Sequence, residues 1–428
     1  MKGLFFVRHY NDVDHIVPVI HTWARAGHEC DVVIIGSRSL LDDFRVRHVA
    51  SLVGVRVASI DQILSRRQWL RMQSEIFLLN RHVRRFVPQK LMIHPGKRLE
   101  DGQGGKFWIE LTHTLLDRSF GDATRGVVAF DWITSNSVIP IEWVRHVLTT
   151  AQARGIGTVS LPHGDSPHWN QLIRGSELKP EPATKFSSSK MFDRLVVPNE
   201  LCAGRYRPFL EPTKIAVLGS PRYCDEWLET LSTLLPDSPL KGSPKKLKIL
   251  LLLRKSEFAV FWEEVERVVR MISSFEDVEL IIKAHTRSGW KQPLSRNRAL
   301  GKLSNVQFAG DEIHSAHLLG WADAVIDLAT SVSFEAVKVG KPVLAADYLH
   351  ASRSTVAAYM PECEIRCRDE IYHHIEGFLA RGCETFYDKK NRERFLTEII
   401  DGPSPEVLPR YLSLLEGLAG GHLQSEIL

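Results

Sequence analysis

The chain has 428 residues, a formal net charge of +4, 44% hydrophobic residues and 25% charged ones. That length is too great for one core and fits two domains of roughly 200 residues each, and the composition is that of a soluble globular protein. No apolar run reaches the ~20 residues that cross a bilayer, and no nucleic-acid-binding module is recognisable, so no nucleic-acid partner is expected. Met1-Lys2 leads straight into a strand-length run rather than a signal sequence. The six scattered cysteines (Cys30, Cys202, Cys224, Cys363, Cys367, Cys383) show no zinc-type pairing and no disulfide framework. A cytoplasmic protein with no bound metal is expected.

In chain order, strands are predicted at residues 3–7, 31–35, 55–60, 127–132, 158–161, 195–198 and 215–218, with an amphipathic helix over residues 15–26 that Gly27 stops. The loop after the first strand, Arg8 to His15, is dense in ionisable groups: Asp12, Asp14 and His15 stand in it. Asp14 also fits the N-cap of the following helix. Residues 63–98 carry Arg66, Arg67, Arg71, Arg81, Arg84, Arg85, Lys90, Lys97 and Arg98 among aromatic and aliphatic residues at helical spacing. That pattern is a core-facing helix with a solvated basic face, or a surface for anionic lipid or an acidic acceptor chain. The fourth strand ends in Asp131, and the fifth runs into Pro162-His163-Gly164-Asp165, where Gly164 lets the chain turn and present His163. A carboxylate, an imidazole and a mixed acidic/His loop at three strand ends can supply a base, an acid and a nucleophile.

Residues 235–246 concentrate proline, glycine and serine and break all periodicity, as an interdomain linker does. Further strands are predicted at 248–253, 279–282, 306–308, 324–328 and 342–346. Near-continuous apolar strands alternating with helices imply parallel sheets covered on both faces. Polar residues gather at the ends of this second set: Arg254; Lys283, His285 and Arg287; and the turn Thr330-Ser331. Bunched at one sheet edge, these would hold a phosphate or pyrophosphate by charge-assisted bonds. Ser333 and Glu335 lie in the first turn of the helix that follows, where free N–H groups suit a phosphate and the carboxylate suits a ribose.

Leu161-Pro162-His163-Gly164, Leu218-Gly219-Ser220-Pro221-Arg222, Lys283-Ala284-His285, and Thr330 to Ala336 with Gly340-Lys341-Pro342 follow one another in an order that resembles bacterial surface-carbohydrate transferases of the GT-B fold. Two branches share it: transferases that use CMP-activated 3-deoxy-octulosonic acid (Kdo), and CDP-glycerol glycerophosphotransferases of teichoic acid synthesis. Thr286 stands where the second branch has proline. The resemblance implies two facing Rossmann-like parallel-sheet domains with an interdomain cleft: an acceptor and catalytic domain at 1–234, the linker, and a nucleotide-donor domain at 247–428 whose last helix can pack back on the first. It implies transfer of a sugar, of Kdo type, from a cytidine-activated donor to a surface glycan or glycolipid, with CMP or CDP as product; the basic stretch 63–98 adds an expected association with the inner membrane's cytoplasmic face.

On that reading Asp131 is nucleophile or base, and His163 protonates or orients the leaving group, with Asp14 and His15 in the acceptor loop. Arg254, Lys283, His285, Arg287, Thr330, Ser331, Ser333 and Glu335 hold the donor nucleotide. No Asp-x-Asp stands at a strand end of the second domain, so the cationic edge neutralises the leaving phosphate without a metal or other cofactor. The chain also resembles non-hydrolysing UDP-N-acetylglucosamine 2-epimerases in its Gly-Lys-Pro strand after an acidic helix, although that family carries Gly-Gly where Thr330-Ser331 stands. A catalytically silent partner in an export or polymerase complex is the remaining alternative, and the intact polar strand ends speak against it.

Overall fold

A computed structural model of the chain describes residues 1–79, 105–132, 141–163, 190–208, 210–254, 260–285, 294, 297, 299–351 and 353–421. The described residues form two sheets in which every strand pairs parallel to its neighbour. They divide into two compact units, one holding residues 1–163, 190–234 and 401–421, the other Leu235–Ile400.

The first unit contains β1 (Lys2–Val7), β2 (Glu29–Ile34), β3 (Val55–Ser59), β4 (Gly126–Phe130), β5 (Gly157–Ser160), β6 (Arg194–Val197) and β7 (Ile215–Val217). Their order across the sheet is β3-β2-β1-β4-β5-β6-β7. β1 shows why such a strand is apolar throughout. Leu4 and Phe6 face a core built with the helices Gly105–Phe120 and Ile141–Ala153, where Phe6 stacks on Phe130 at 4.1 Å between ring centroids. Phe5 points the other way and meets Trp23 of the helix Tyr10–Arg25 edge-on at 6.4 Å. With both faces covered, alternation with polar residues disappears, and each buried ring contributes about 1.5–3 kcal/mol.

The helix Tyr10–Arg25 starts five residues before the predicted His15 and ends ahead of Gly27, whose φ of +82° suits glycine. The charged loop expected after β1 is therefore largely the first turn of this helix. Of the basic stretch 63–98, the described part is the helix Arg66–Leu79, with Met72 buried, Trp69 against the core and Arg66, Arg67 and Arg71 exposed. Arg81, Arg84, Arg85, Lys90, Lys97 and Arg98 lie outside the described residues. No described helix is long and apolar enough to cross a membrane.

The helix Val407–Ala419 belongs to the first unit. Its Tyr411 hydroxyl donates to the Gly219 carbonyl at 2.9 Å, and Glu416 meets His28 at 2.7 Å. Gly157 opens β5 directly under this helix: a Cβ there would lie 2.7 Å from the Leu418 carbonyl oxygen, closer than real contacts allow.

A histidine pair joins two helices of the same unit. His21 Nδ1 and His48 Nε2, from Tyr10–Arg25 and Phe44–Ala50, are 3.0 Å apart, so one ring donates and the other accepts. Burial, then the neighbouring His48 and Arg25, push His21 down to about 4. A histidine depressed in the folded state binds more protons when unfolded, so its contribution is complete above the ordinary 6.5 and is lost as pH falls toward 4. The melting temperature of the wild type should therefore fall over that interval by the equivalent of roughly 2 kcal/mol, the half-buried ring being partly screened. His21→Gln, neutral throughout, should lose that slope; an unchanged slope would show that other groups set it.

The second unit contains β8 (Leu247–Leu252), β9 (Val278–Lys283), β10 (Val306–Ala309), β11 (Ala324–Asp327) and β12 (Val343–Ala345), ordered β10-β9-β8-β11-β12. Ile249 and Leu251 of β8 pack with Val265, Val268, Val269 and Ile272 of the helix Trp262–Ser273 and with Leu280 and Ile282 of β9. Residues 235–246, at the start of this unit, carry neither helix nor strand.

Candidate functional site

In the first sheet the chain winds from β1 outward through β2 and β3, then returns to place β4 on β1's other side. Where winding reverses, the connections diverge and leave a crevice at the carboxyl ends of the strands. Arg8 directly follows β1, Asp131 directly follows β4, and His163 stands three residues beyond β5. These side chains meet. Arg8 grips Asp131 with two nitrogens, Nε donating to Oδ1 at 2.8 Å and Nη2 to Oδ2. His163 Nδ1 lies 3.0 Å from Asp131 Oδ2 and 2.9 Å from Asp12 Oδ1.

Asp12 is held from behind. Its Oδ2 accepts the backbone N–H of Arg8 at 2.7 Å and of His9 at 3.0 Å, so the carboxylate that starts the helix Tyr10–Arg25 also fixes the imidazole. Both aspartates are buried, while His163 keeps 27% of its side chain exposed. Burial opposes charging His163, but hydrogen bonds to Asp12 and Asp131 and their charges outweigh it and push the group up to about 9. Burial likewise opposes ionising Asp131, and the Arg8 charge followed by the His163 hydrogen bond holds it far below the usual carboxylate range. At neutral pH two carboxylates thus balance one guanidinium and one imidazolium. With Nδ1 committed to the carboxylates, His163 has Nε2 left to give a proton, which makes it an acid rather than a base.

The donor atoms of Asp12, Asp131 and His163 all lie within 4.8 Å of one another, a spacing also suited to a cation. Arg8 and the shared proton of His163 supply the positive charge between them, and the cluster is an ion-pair network.

Asp131, expected as nucleophile or base, is 1% exposed, and both its oxygens accept hydrogen bonds, Oδ1 from Arg8 and Oδ2 from Arg8 and His163. Asp14 also has a different occupation: Arg45 Nη1 donates to it and Arg222 Nη1 lies 2.9 Å away, tying the first helix to Phe44–Ala50 and to the segment after β7. His15 is 1% exposed, one helical turn from Asp12.

In the second sheet winding reverses between β8 and β11. Arg254 follows β8 and is buried, with Asp327 and Asp347 opposing the burial that lowers its pKa. Lys283 ends β9, where its ammonium donates to the Gly310 carbonyl and lies 3.7 Å from Asp311. His285 is half-buried two residues further on, and Arg287 lies outside the described residues. Arg254, Lys283, His285 and the Thr330-Ser331 turn thus share the carboxyl edge of this sheet.

The turn itself faces inward. Thr330 donates its N–H (3.0 and 3.1 Å) and its hydroxyl (2.6 Å) to Asp327, the buried last residue of β11, which burial pushes up to about 6 against the Thr330 hydrogen bonds. Ser333 donates to the Thr330 carbonyl at 2.6 Å, and Glu335 is buried and accepts from Ser315 at 3.1 Å. The groups expected to meet phosphate and ribose are engaged by the protein, with Ser331 at the N-cap of the helix Val332–Lys338.

No protein-family model matches the sequence, and a search of curated proteins finds no match. Among solved structures the chain is similar to the UDP-N-acetylglucosamine 2-epimerase of Neisseria meningitidis bound to UDP-N-acetylglucosamine, at 12% identity and a TM-score of 0.60 over 97% of this chain and 100% of that one. It is similar to the UDP-N-acetylglucosamine 2-epimerase of Rickettsia bellii (12% identity, TM-score 0.55, 99% and 97% covered) and to the UDP co-structure of S. aureus MnaA (12%, 0.53, 92% and 94%). At such identities the likeness is one of fold. The chain has a GT-B fold.

Within this GT-B fold, sequence reasoning passed over Arg8 of the first-unit network and placed Asp12 only in an acidic loop, without its bond to His163. The available signal was local: Asp12 stands three residues after His9, the spacing of a carboxylate that closes a helix start, and Arg8 is the first residue beyond a buried strand.

Proposed function

We propose that the chain is an enzyme acting on a nucleotide-activated sugar, with His163 as the acid of the Arg8–Asp12–Asp131 network and the carboxyl edge of the second sheet holding the nucleotide. The observation that carries this reading is the buried network at the ends of β1, β4 and β5. Inverting a carbon centre and breaking a glycosyl bond both require a proton to be delivered at a defined place, and a partly exposed imidazolium fixed by two carboxylates delivers one.

Epimerisation at C2 of UDP-N-acetylglucosamine is the first reaction to examine. The solved structures of like fold named above are such epimerases or hold UDP, which supports this reading above transfer from a cytidine-activated donor. A second reading, sugar transfer from CMP or CDP, is favoured by one feature: Ala329-Thr330-Ser331 contains no glycine, and Ala329 takes a φ of +54° without one. A glycan or glycolipid acceptor belongs to that second reading only, with the basic face of Arg66–Leu79 as the place to seek it.

UDP and UDP-N-acetylglucosamine should raise the melting temperature, and proton NMR in D2O should show the 2-epimer forming with deuterium at C2. Stabilisation by CMP or CDP, with UDP-N-acetylglucosamine unchanged, would favour transfer. No stabilisation by any of these nucleotides would overturn both.

A further inference from the structure

His9 lies between Arg8 and the helix Tyr10–Arg25 with extended backbone, φ −137° and ψ 165°. Extended backbone sends successive side chains to opposite sides. Arg8 turns inward to Asp131, and His9 turns outward and is exposed. There its ring stands edge-to-face with that of His163, centroids 6.4 Å apart and planes at 73°. One imidazole is hydrogen-bonded to both buried carboxylates; its neighbour faces solvent at the same strand ends. We propose that His9 is a further catalytic residue, the proton acceptor of a histidine pair in which His163 is the donor. This rests on the reading above, that the cluster moves protons on a nucleotide-activated sugar.

Four charged or titratable groups face His9: Arg8, Asp12, Asp131 and His163. Partial burial disfavours its charged form, Asp12 and Asp131 oppose that, and Arg8 and His163 add to it; the balance lowers His9 while His163 is raised. Two neighbouring groups pushed apart in this way take opposite roles in proton transfer. At pH 7 the pair holds one neutral and one charged ring. In a turnover the His9 ring, whose side chain caps the Asp12 N–H in the resting helix start, releases that N–H and takes a substrate proton on the freed lone pair. His163 gives its Nε2 proton to the substrate atom that receives the electron pair of the broken bond. The pair then has His9 charged and His163 neutral, its total proton count unchanged, and resets by exchange with solvent at the exposed ring.

The test uses the full chain as wild type, His9→Asn and His163→Gln; asparagine is a good N-cap, so the first variant keeps the helix start. Nitrogen-15 NMR of the imidazoles should show His163 titrating near 9 and His9 below 6.5, with the His9 midpoint moving up in His163→Gln. On whichever nucleotide sugar the wild type turns over, His9→Asn should lower kcat by about 10²–10⁴-fold and abolish the acid limb of the pH profile, with UDP or CMP affinity unchanged by calorimetry. A His9 midpoint indifferent to His163→Gln overturns the pair whatever the substrate. Turnover by His9→Asn with kcat and acid limb intact overturns the catalytic role of His9 and leaves the proposed function standing. Coupled midpoints without turnover of any nucleotide sugar overturn the proposed function, and His9's role with it.

Discussion

Arg8→Met should lower the unfolding free energy of the first unit by about 3–5 kcal/mol, because it strands the Asp131 carboxylate at 1% exposure without its guanidinium. Urea titration followed by tryptophan fluorescence reads this directly, since Trp23, Trp108 and Trp143 are buried in that unit. The double variant Arg8→Met, Asp131→Leu should recover most of the loss, as apolar replacement of both partners removes the unpaired charge. A single variant within 1 kcal/mol of wild type would show that Arg8 and Asp131 are not paired in solution. The same network sets a pH window. His163, raised above 6.5, stabilises fully below that value, and its contribution is lost as pH rises through about 9. Asp131, depressed, stabilises above its ordinary 3.8 and loses its contribution as pH falls below it.

His163→Gln should reduce turnover by about 10²–10⁴-fold while nucleotide affinity is kept, since an amide cannot release a proton. Steady-state kinetics beside calorimetry with UDP separate the two effects. Asp12→Asn should cost less than His163→Gln, because an amide oxygen in place of Oδ2 still accepts both N–H groups at the helix start while the grip on the imidazole weakens. Equal kcat in wild type and His163→Gln would make the network a structural ion-pair cluster.

The sheets were legible because β1, β4, β8 and β9 are buried on both faces and their apolar runs are nearly unbroken. Asp131 and His163 were legible for the same reason: each is a polar residue soon after such a run. The helix start was not. Asp12 and Asp14 both sit in a charged stretch, and only the position of the first turn decides that one faces His163 and the other Arg45 and Arg222. Strand–turn–helix at Asp327 to Lys338 was equally readable, but a hydroxyl's direction is not written in its spacing. Thr330 turned to a buried aspartate and Glu335 to Ser315, a carboxylate and a hydroxyl standing where a phosphate and a ribose hydroxyl were expected.

Residues 235–400 interrupt the first unit, whose core includes the helix Val407–Ala419. During synthesis, therefore, the strands that carry Arg8, Asp131 and His163 leave the ribosome long before the helix that covers Gly157 and bonds Gly219 and His28. The second unit, whose described residues all fall between 235 and 400, can complete its own sheet while the first still waits for its final helix. A released chain ending at residue 400 should leave the first unit protease-sensitive and the second resistant, the reverse of the N-to-C order in which domains mature when each is encoded in one piece.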